Sequence, residues 1–127
     1  MNRARHTLVD GRTYWTTGST PDGAAPDRVV RLLPVYDEYL VAYRDRDAVP
    51  HGPTAIRSRS GGFVAFQHAL VIAGKVAGTW KTVRNAHGIT IQVSPLRRLT
   101  RFERGAIVES VARYGRFLDV PASLRVV

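Results

Sequence analysis

The strongest constraint in this sequence is a change of period between residues 89 and 118. Ile89, Ile91 and Val93 alternate with Thr90, Gln92 and Ser94, the period-two pattern of a half-buried antiparallel strand. A few residues later Ile107, Val111, Tyr114 and Leu118 recur at helical spacing, reinforced by Val108. Thr100 and Glu103 stand three apart in front of that run and match a capping box, with Thr100 as N-cap. Pro121 prevents continuation of the helix. The spacing predicts a helix over about 100–118 whose apolar stripe covers a sheet.

The β pattern starts earlier. Phe63–Ala73 is β-rich, Ala73-Gly74-Lys75 reads as a turn, Val76–Val83 as the next strand, and Arg84-Asn85-Ala86-His87-Gly88 as the turn into Ile89. Gly78 falls inside a strand, where glycine marks a bulge, a bend or a close backbone approach. Upstream, Val29–Pro34 reads as a short strand, and Asp37 is placed to cap a helical turn through Glu38 to Tyr43. Asp47–Gly62 is rich in loop residues, and its Arg57 and Arg59 have no neighbouring counter-charge in sequence. Successive short strands with short turns predict an α+β fold: a small antiparallel β-barrel-like meander packed against one C-terminal α-helix. Near the N-terminus, Asp10-Gly11 between short β-prone runs is a two-residue hairpin signal. The expected organisation is a remnant hairpin over 1–16, a linker over 17–27 with Gly18, Pro21, Gly23 and Pro26, and the main domain over 28–127.

Composition narrows the function classes. The chain has 127 residues, 44% of them hydrophobic and 23% charged, which are ordinary globular proportions. The longest aliphatic run, Ala69–Ala73, is far too short to span a bilayer. Met1 to Trp15 contains no apolar signal-peptide core. The absence of cysteine removes disulfide frameworks, cysteine-zinc sites and thiol nucleophiles. A cytoplasmic location, no membrane partner and no cofactor are expected. His6, His51, His68 and His87 are widely separated and show no ligand spacing, so no metal is expected. Ser58 and Ser60 lack the context of a nucleophile elbow, and Gly61-Gly62 lacks the residues of a phosphate loop. Asp37 and Glu38, with Asp45 and Asp47, are the only clustered carboxylates; a hydrolase or glycosylase using Asp37 and Glu38 is one hypothesis, against local ion pairing in Arg44-Asp45-Arg46-Asp47. No catalytic residue is assigned.

The charge is the main chemical signal. There are 19 basic residues against 10 acidic ones, giving +9, and arginine supplies all of the basic side chains except Lys75 and Lys81. Arginine makes bidentate contacts to phosphate that lysine does not, although coding bias alone also enriches arginine. Arg97, Arg98, Arg101 and Arg104 gather at the start of the last helix, where cations oppose the helix dipole. Their partner is either an external anion or a local carboxylate such as Glu103. Arg113 and Arg116 extend the basic character. Trp15, Trp80 and Tyr43 are candidate stacking groups, with core packing the competing role.

Leu32-Leu33-Pro34-Val35-Tyr36-Asp37-Glu38-Tyr39-Leu40-Val41-Ala42-Tyr43-Arg44-Asp45-Arg46 resembles the "LLPxFDEYLxGYxDR" signature of bacterial winged-helix DNA-binding-domain proteins, with Tyr36 for Phe and Ala42 for Gly. That family includes winged-helix DNA glycosylases acting on bulky alkyl and crosslink lesions. Ala73–Lys81, containing Gly78 and Trp80, is similar to "DGxVxGTW", and Arg113–Leu118 to "RYxxFL". Asp10–Trp15 looks like the wing that closes a winged helix. The resemblance implies the C-terminal β-rich domain of a protein about three times longer. The glutamine–hydrophobic–glutamine motif of the glycosylase members has no counterpart, since Gln67 and Gln92 are the only glutamines here. It further implies a noncatalytic DNA-binding or DNA-binding-accessory module. Arg57, Arg59, Arg97, Arg98, Arg101 and Arg104 are the candidate phosphate contacts, and six such contacts give a log-log salt slope of about −5. The alternative is a truncated or split-gene module that self-associates or binds a separately encoded winged-helix partner.

Overall fold

The computed structural model describes residues 4–18, 29–41 and 68–127. Strands β1 (Ala4–Val9) and β2 (Arg12–Thr17) form a two-stranded antiparallel hairpin of their own. Asp10 and Gly11 both adopt positive φ, 48° and 77°. A two-residue turn needs that conformation to follow the twist of its strands. Every residue of the two strands is exposed.

The main body is a five-stranded sheet in the order β3-β4-β5-β6-β7. Its strands are β3 (Val30–Leu33), β4 (Ala69–Ile72), β5 (Lys75–Asn85), β6 (Gly88–Pro95) and β7 (Ala122–Val126). The first four pair antiparallel, as the meander reading requires. β5 runs to Asn85, two residues beyond the predicted strand end, so the turn is shorter than expected. Helices α1 (Glu38–Val41) and α2 (Arg101–Leu118) complete the element order.

Two features depart from the sequence reading. First, the described strands form an open sheet with β3 and β7 as its edges; no closure into a barrel occurs among the described residues. Second, Ala122–Val126 is a strand, parallel to β6. A parallel neighbour requires a crossover connection, and α2 supplies it. The helix therefore both covers the sheet and delivers its last strand. Asp119, in the left-handed conformation, caps α2 with its N–H directed to Arg116 O. Pro121 then opens the new strand, its carbonyl accepting from Ile89 N at 2.9 Å.

The sheet buries both faces near β4. Leu70, Ile72, Ala77, Trp80, Ile89, Ile91 and Val93 pack under Ile107 and Val111 of α2. Leu40 of α1 packs on Ala69, Val71 and Val76 on the opposite face. Trp80 belongs to the α2 face only because β5 contains a bulge. Val71 pairs with Val76, but Leu70 pairs with Gly78, so Ala77 is the additional residue. One extra residue inverts the in–out alternation of everything that follows. Val76 therefore faces Leu40 while Trp80 faces α2. Gly78 permits the close approach at this point: a Cβ there would lie 2.5 Å from Ser94 O and 2.8 Å from Pro95 Cα. Of the three options the sequence leaves for Gly78, the bulge and the close approach are both present.

The Asp37 capping prediction holds: its carboxylate accepts from Tyr39 N at 2.9 Å. Tyr39 Oη donates to Gly74 O, tying α1 to the β4–β5 turn. Of the expected linker over 17–27, Thr17 instead ends β2 and Gly18 follows it; residues 19–27 lie outside the described residues, as do the remainder of the expected turn of helix to Tyr43, the Arg44–Asp47 run, Ser58, Ser60, Phe63–Gln67 and the arginines Arg57 and Arg59.

Candidate nucleic-acid interface

The start of α2 is fixed by its cap. Glu103 N donates to Thr100 Oγ1 at 3.1 Å, and Thr100 N donates to Glu103 Oε2 at 2.8 Å. Both halves of the predicted capping box are formed. The Glu103 carboxylate has a second task. Arg97 Nη2 donates to Oε1 at 2.6 Å and Nη1 to Oε2 at 2.9 Å, a bidentate pair. These bonds hold Glu103 well below its ordinary range, down to about 2, with the Arg97 hydrogen bond as the largest cause. Arg97 is raised correspondingly.

This resolves the question the sequence leaves open at this helix. The local carboxylate takes one arginine, Arg97, and the capping box takes the same carboxylate. Arg98, Arg101 and Arg104 remain exposed, and no carboxylate pairs with them among the described residues. Of the candidate phosphate contacts in this cluster, three therefore have no carboxylate partner among the described residues. Arg101 and Arg104 leave the helix on one side, three residues apart, and Arg98 precedes the cap. Their position against the helix dipole favours an anion that would sit among them.

The described family-motif residues lie in the turn before α1, in α1 and in β5. Tyr36 adopts φ 62° in the turn between β3 and α1, Asp37 caps α1, and Glu38 opens it, exposed. Asp37 is thus engaged with backbone, through its bond to Tyr39 N. Trp80 is 8% exposed, and its indole N–H donates to Leu33 O at 3.0 Å. The core role wins for Trp80, although its ring edge borders a cleft. Trp15 is 68% exposed on the hairpin and lies against His6, ring centroids 5.2 Å apart. Gln92, one of the two glutamines, sits within β6. Among the described residues no three metal-ligating side chains gather, and no helix is long and apolar enough to cross a membrane.

The sequence reading misses a cleft of about 540 Å³ between the last turns of α2 and edge strand β3. His68, Trp80 and Tyr114 lie along it, with Arg31, Arg113 and Phe117 at its rim. His68 lies tilted by 31° against Trp80 with centroids 4.5 Å apart, and Tyr114 meets Trp80 edge-on at 5.8 Å. One signal was available: Phe117 falls off the apolar stripe of α2, one turn after Arg113. Nothing in the sequence brings Arg31 and His68 to the same place.

A family model described as DNA glycosylase AlkZ-like matches residues 3–117. Among solved structures, the DNA glycosylase AlkZ of Streptomyces sahachiroi is similar at 22% identity, with a TM-score of 0.55. That match covers 98% of this chain and 33% of the AlkZ chain. The chain thus spans about one third of the length of that relative, and the likeness at this identity shows a shared fold. No curated protein matches the chain. The family match runs through the hairpin, strands β3 to β6 and nearly all of α2, and the chain belongs to the AlkZ-like DNA glycosylase family.

Proposed function

We propose that this chain is a noncatalytic DNA-contacting module, corresponding to the C-terminal β-rich part of its longer relatives and acting in the cytoplasm. It engages phosphates through the start of α2 rather than reading bases there. The observation that carries this reading is the division of labour at the cap: Glu103 neutralises Arg97, and Arg98, Arg101 and Arg104 have no carboxylate partner among the described residues. Three phosphate contacts give a log-log salt slope of about −2.7 on duplex DNA. Arg57 and Arg59 would steepen it toward the value of about −5 for six contacts only if they and Arg97 also engage. The test is fluorescence anisotropy with a labelled 20-base-pair duplex across a salt series. A slope near −3 that vanishes in an Arg98→Ala/Arg101→Ala/Arg104→Ala variant supports the reading. No binding at the lowest salt overturns it.

A second reading has its own observation. Leu8 and Trp15 lie on one face of the hairpin and Val9 and Tyr14 on the other, all exposed. An isolated two-stranded hairpin is marginal in water, so these faces suit a second protein surface, either another copy or a winged-helix partner. Sedimentation of the purified chain distinguishes them. Concentration-dependent mass lost in a Leu8→Ser/Trp15→Ser variant indicates self-association, whereas a monomer at all concentrations removes that form.

A further inference from the structure

We propose that the cleft between α2 and β3 is a binding site for one unpaired nucleotide of DNA, its base stacked on Phe117 and its phosphate held by Arg113 and Arg31. The proposal rests on the DNA-contacting reading above but uses a different surface, at the opposite end of α2.

The site combines two chemistries that a single unpaired nucleotide also combines. One is flat and apolar. Phe117 is 82% exposed, an unusual position for a phenyl ring beside a formed core. Tyr114, Trp80 and His68 form the aromatic wall of the same cleft, Tyr114 edge-on to Trp80 and His68 tilted against it. Every base offers a π-face to such a wall, so stacking tolerates sequence. The other chemistry is cationic. Arg113 precedes Phe117 by one turn and shares its side of the helix. Arg31 comes from the facing strand and uses one N–H on Val30 O at 3.1 Å, leaving further donors available. Among the described residues neither arginine pairs with a carboxylate. A neutral apolar ligand would leave both arginines unanswered, and a free phosphate would leave Phe117 exposed. The cleft volume of about 540 Å³ lies within the range of small-ligand sites. The walls are held from below: Trp80 is locked by its bond to Leu33 O, so the aromatic surface is preformed.

The contrast with the start of α2 is built into the residues. Arg98, Arg101 and Arg104 have one ring within their run of sequence, Phe102, and they suit duplex phosphates. Paired bases in a duplex are stacked on each other and cannot enter a cleft, so the far end of α2 needs an unpaired one.

The experiment uses the full chain and three labelled probes: oligothymidylate of 12 nucleotides, an abasic 12-mer with the same phosphates, and a 20-base-pair duplex. The proposal expects oligothymidylate to bind more tightly than the abasic strand by roughly 5- to 100-fold. Phe117→Ala should reduce oligothymidylate to the abasic level, Phe117→Trp should keep the preference, and Arg113→Ala should weaken both strands. Because Phe117 is exposed, its truncation leaves the core intact, and circular dichroism checks this. Equal binding of oligothymidylate and abasic strand, or wild-type binding by Phe117→Ala, overturns the proposal, as does a failure to bind either. The duplex arm separates the two readings. Duplex bound without a base preference in the single strand leaves the arginine cluster standing and removes the cleft. A Phe117-dependent preference with no duplex binding does the reverse.

Discussion

Both ends of α2 carry exposed arginines, and the two sets stand in different surroundings. At its start, Arg97, Arg98, Arg101 and Arg104 surround a carboxylate that is already committed twice, to the cap and to Arg97. At its end, Arg113 stands beside an exposed phenyl ring, an aromatic wall and a cleft. A count of arginines treats these as one basic helix. The difference teaches that the neighbours of a guanidinium decide its use. A carboxylate cancels it, open solvent leaves it as a diffuse phosphate contact, and an aromatic wall makes it half of a nucleotide site.

The sharpest way to break this comparison is through Trp80, which belongs to the core and to the cleft at once. Trp80→Ala should cost about 3–5 kcal/mol in chemical denaturation, as for other large aromatic truncations. It removes both the His68 and the Tyr114 ring contacts. Loss of stability well below that range would mean that Trp80 is less integral to the α2 face than its burial indicates. Gly78→Ala should cost about 1–3 kcal/mol, because the new methyl group meets Ser94 O and Pro95 Cα. Since the bulge aims Trp80 at α2, its oligothymidylate preference should fall while the duplex salt slope stays. An equal loss at both ends would collapse the distinction between them.

The smallest change sharpens the comparison at the other end. Glu103→Gln removes the charge that cancels Arg97, so duplex affinity should rise and the salt slope steepen by about 0.9. The oligothymidylate preference should not move. The same residue sets a pH dependence. Its folded-state value is lowered, to about 2 from an ordinary 4.5. Its contribution to stability is therefore complete above that ordinary value and is lost as pH falls toward 2. Acid titration of the fold, followed by circular dichroism, should show a steeper decline in this window for the wild type than for Glu103→Gln. Parallel curves would detach the cap from the ion pair.

Local chemistry was legible from the residues alone. The capping box at Thr100 and Glu103, the Asp10-Gly11 turn, the alternation of Ile89 to Ser94 and the stop after Leu118 are contacts between near neighbours in sequence. Their physics needs no other part of the chain. The resemblance carried by Tyr36 to Tyr39, Gly78 and Trp80 pointed to a winged-helix group that includes DNA glycosylases, and the match over residues 3–117 shows the glycosylase part of that reading. Ala122, Leu124 and Val126 alternate with Ser123 and Arg125, so β7 had a signal. What the alternation does not state is the neighbour, and only the crossover by α2 makes β7 parallel to β6.

Three matters were decided by tertiary structure. Which arginine Glu103 would take depended on the path from Pro95 to Thr100. Which face Trp80 would occupy depended on one extra residue at Ala77, set by the pairing of β5 with β4. The cleft depended on Arg31, His68 and Phe117 meeting across distances that no local pattern encodes. The sequence by itself determined where strands, turns and the helix form, because those follow from hydrogen bonds and apolar spacing within a few residues. The tertiary structure decided which charges remain free and which aromatic ring stays exposed, because both depend on what the rest of the fold places beside them.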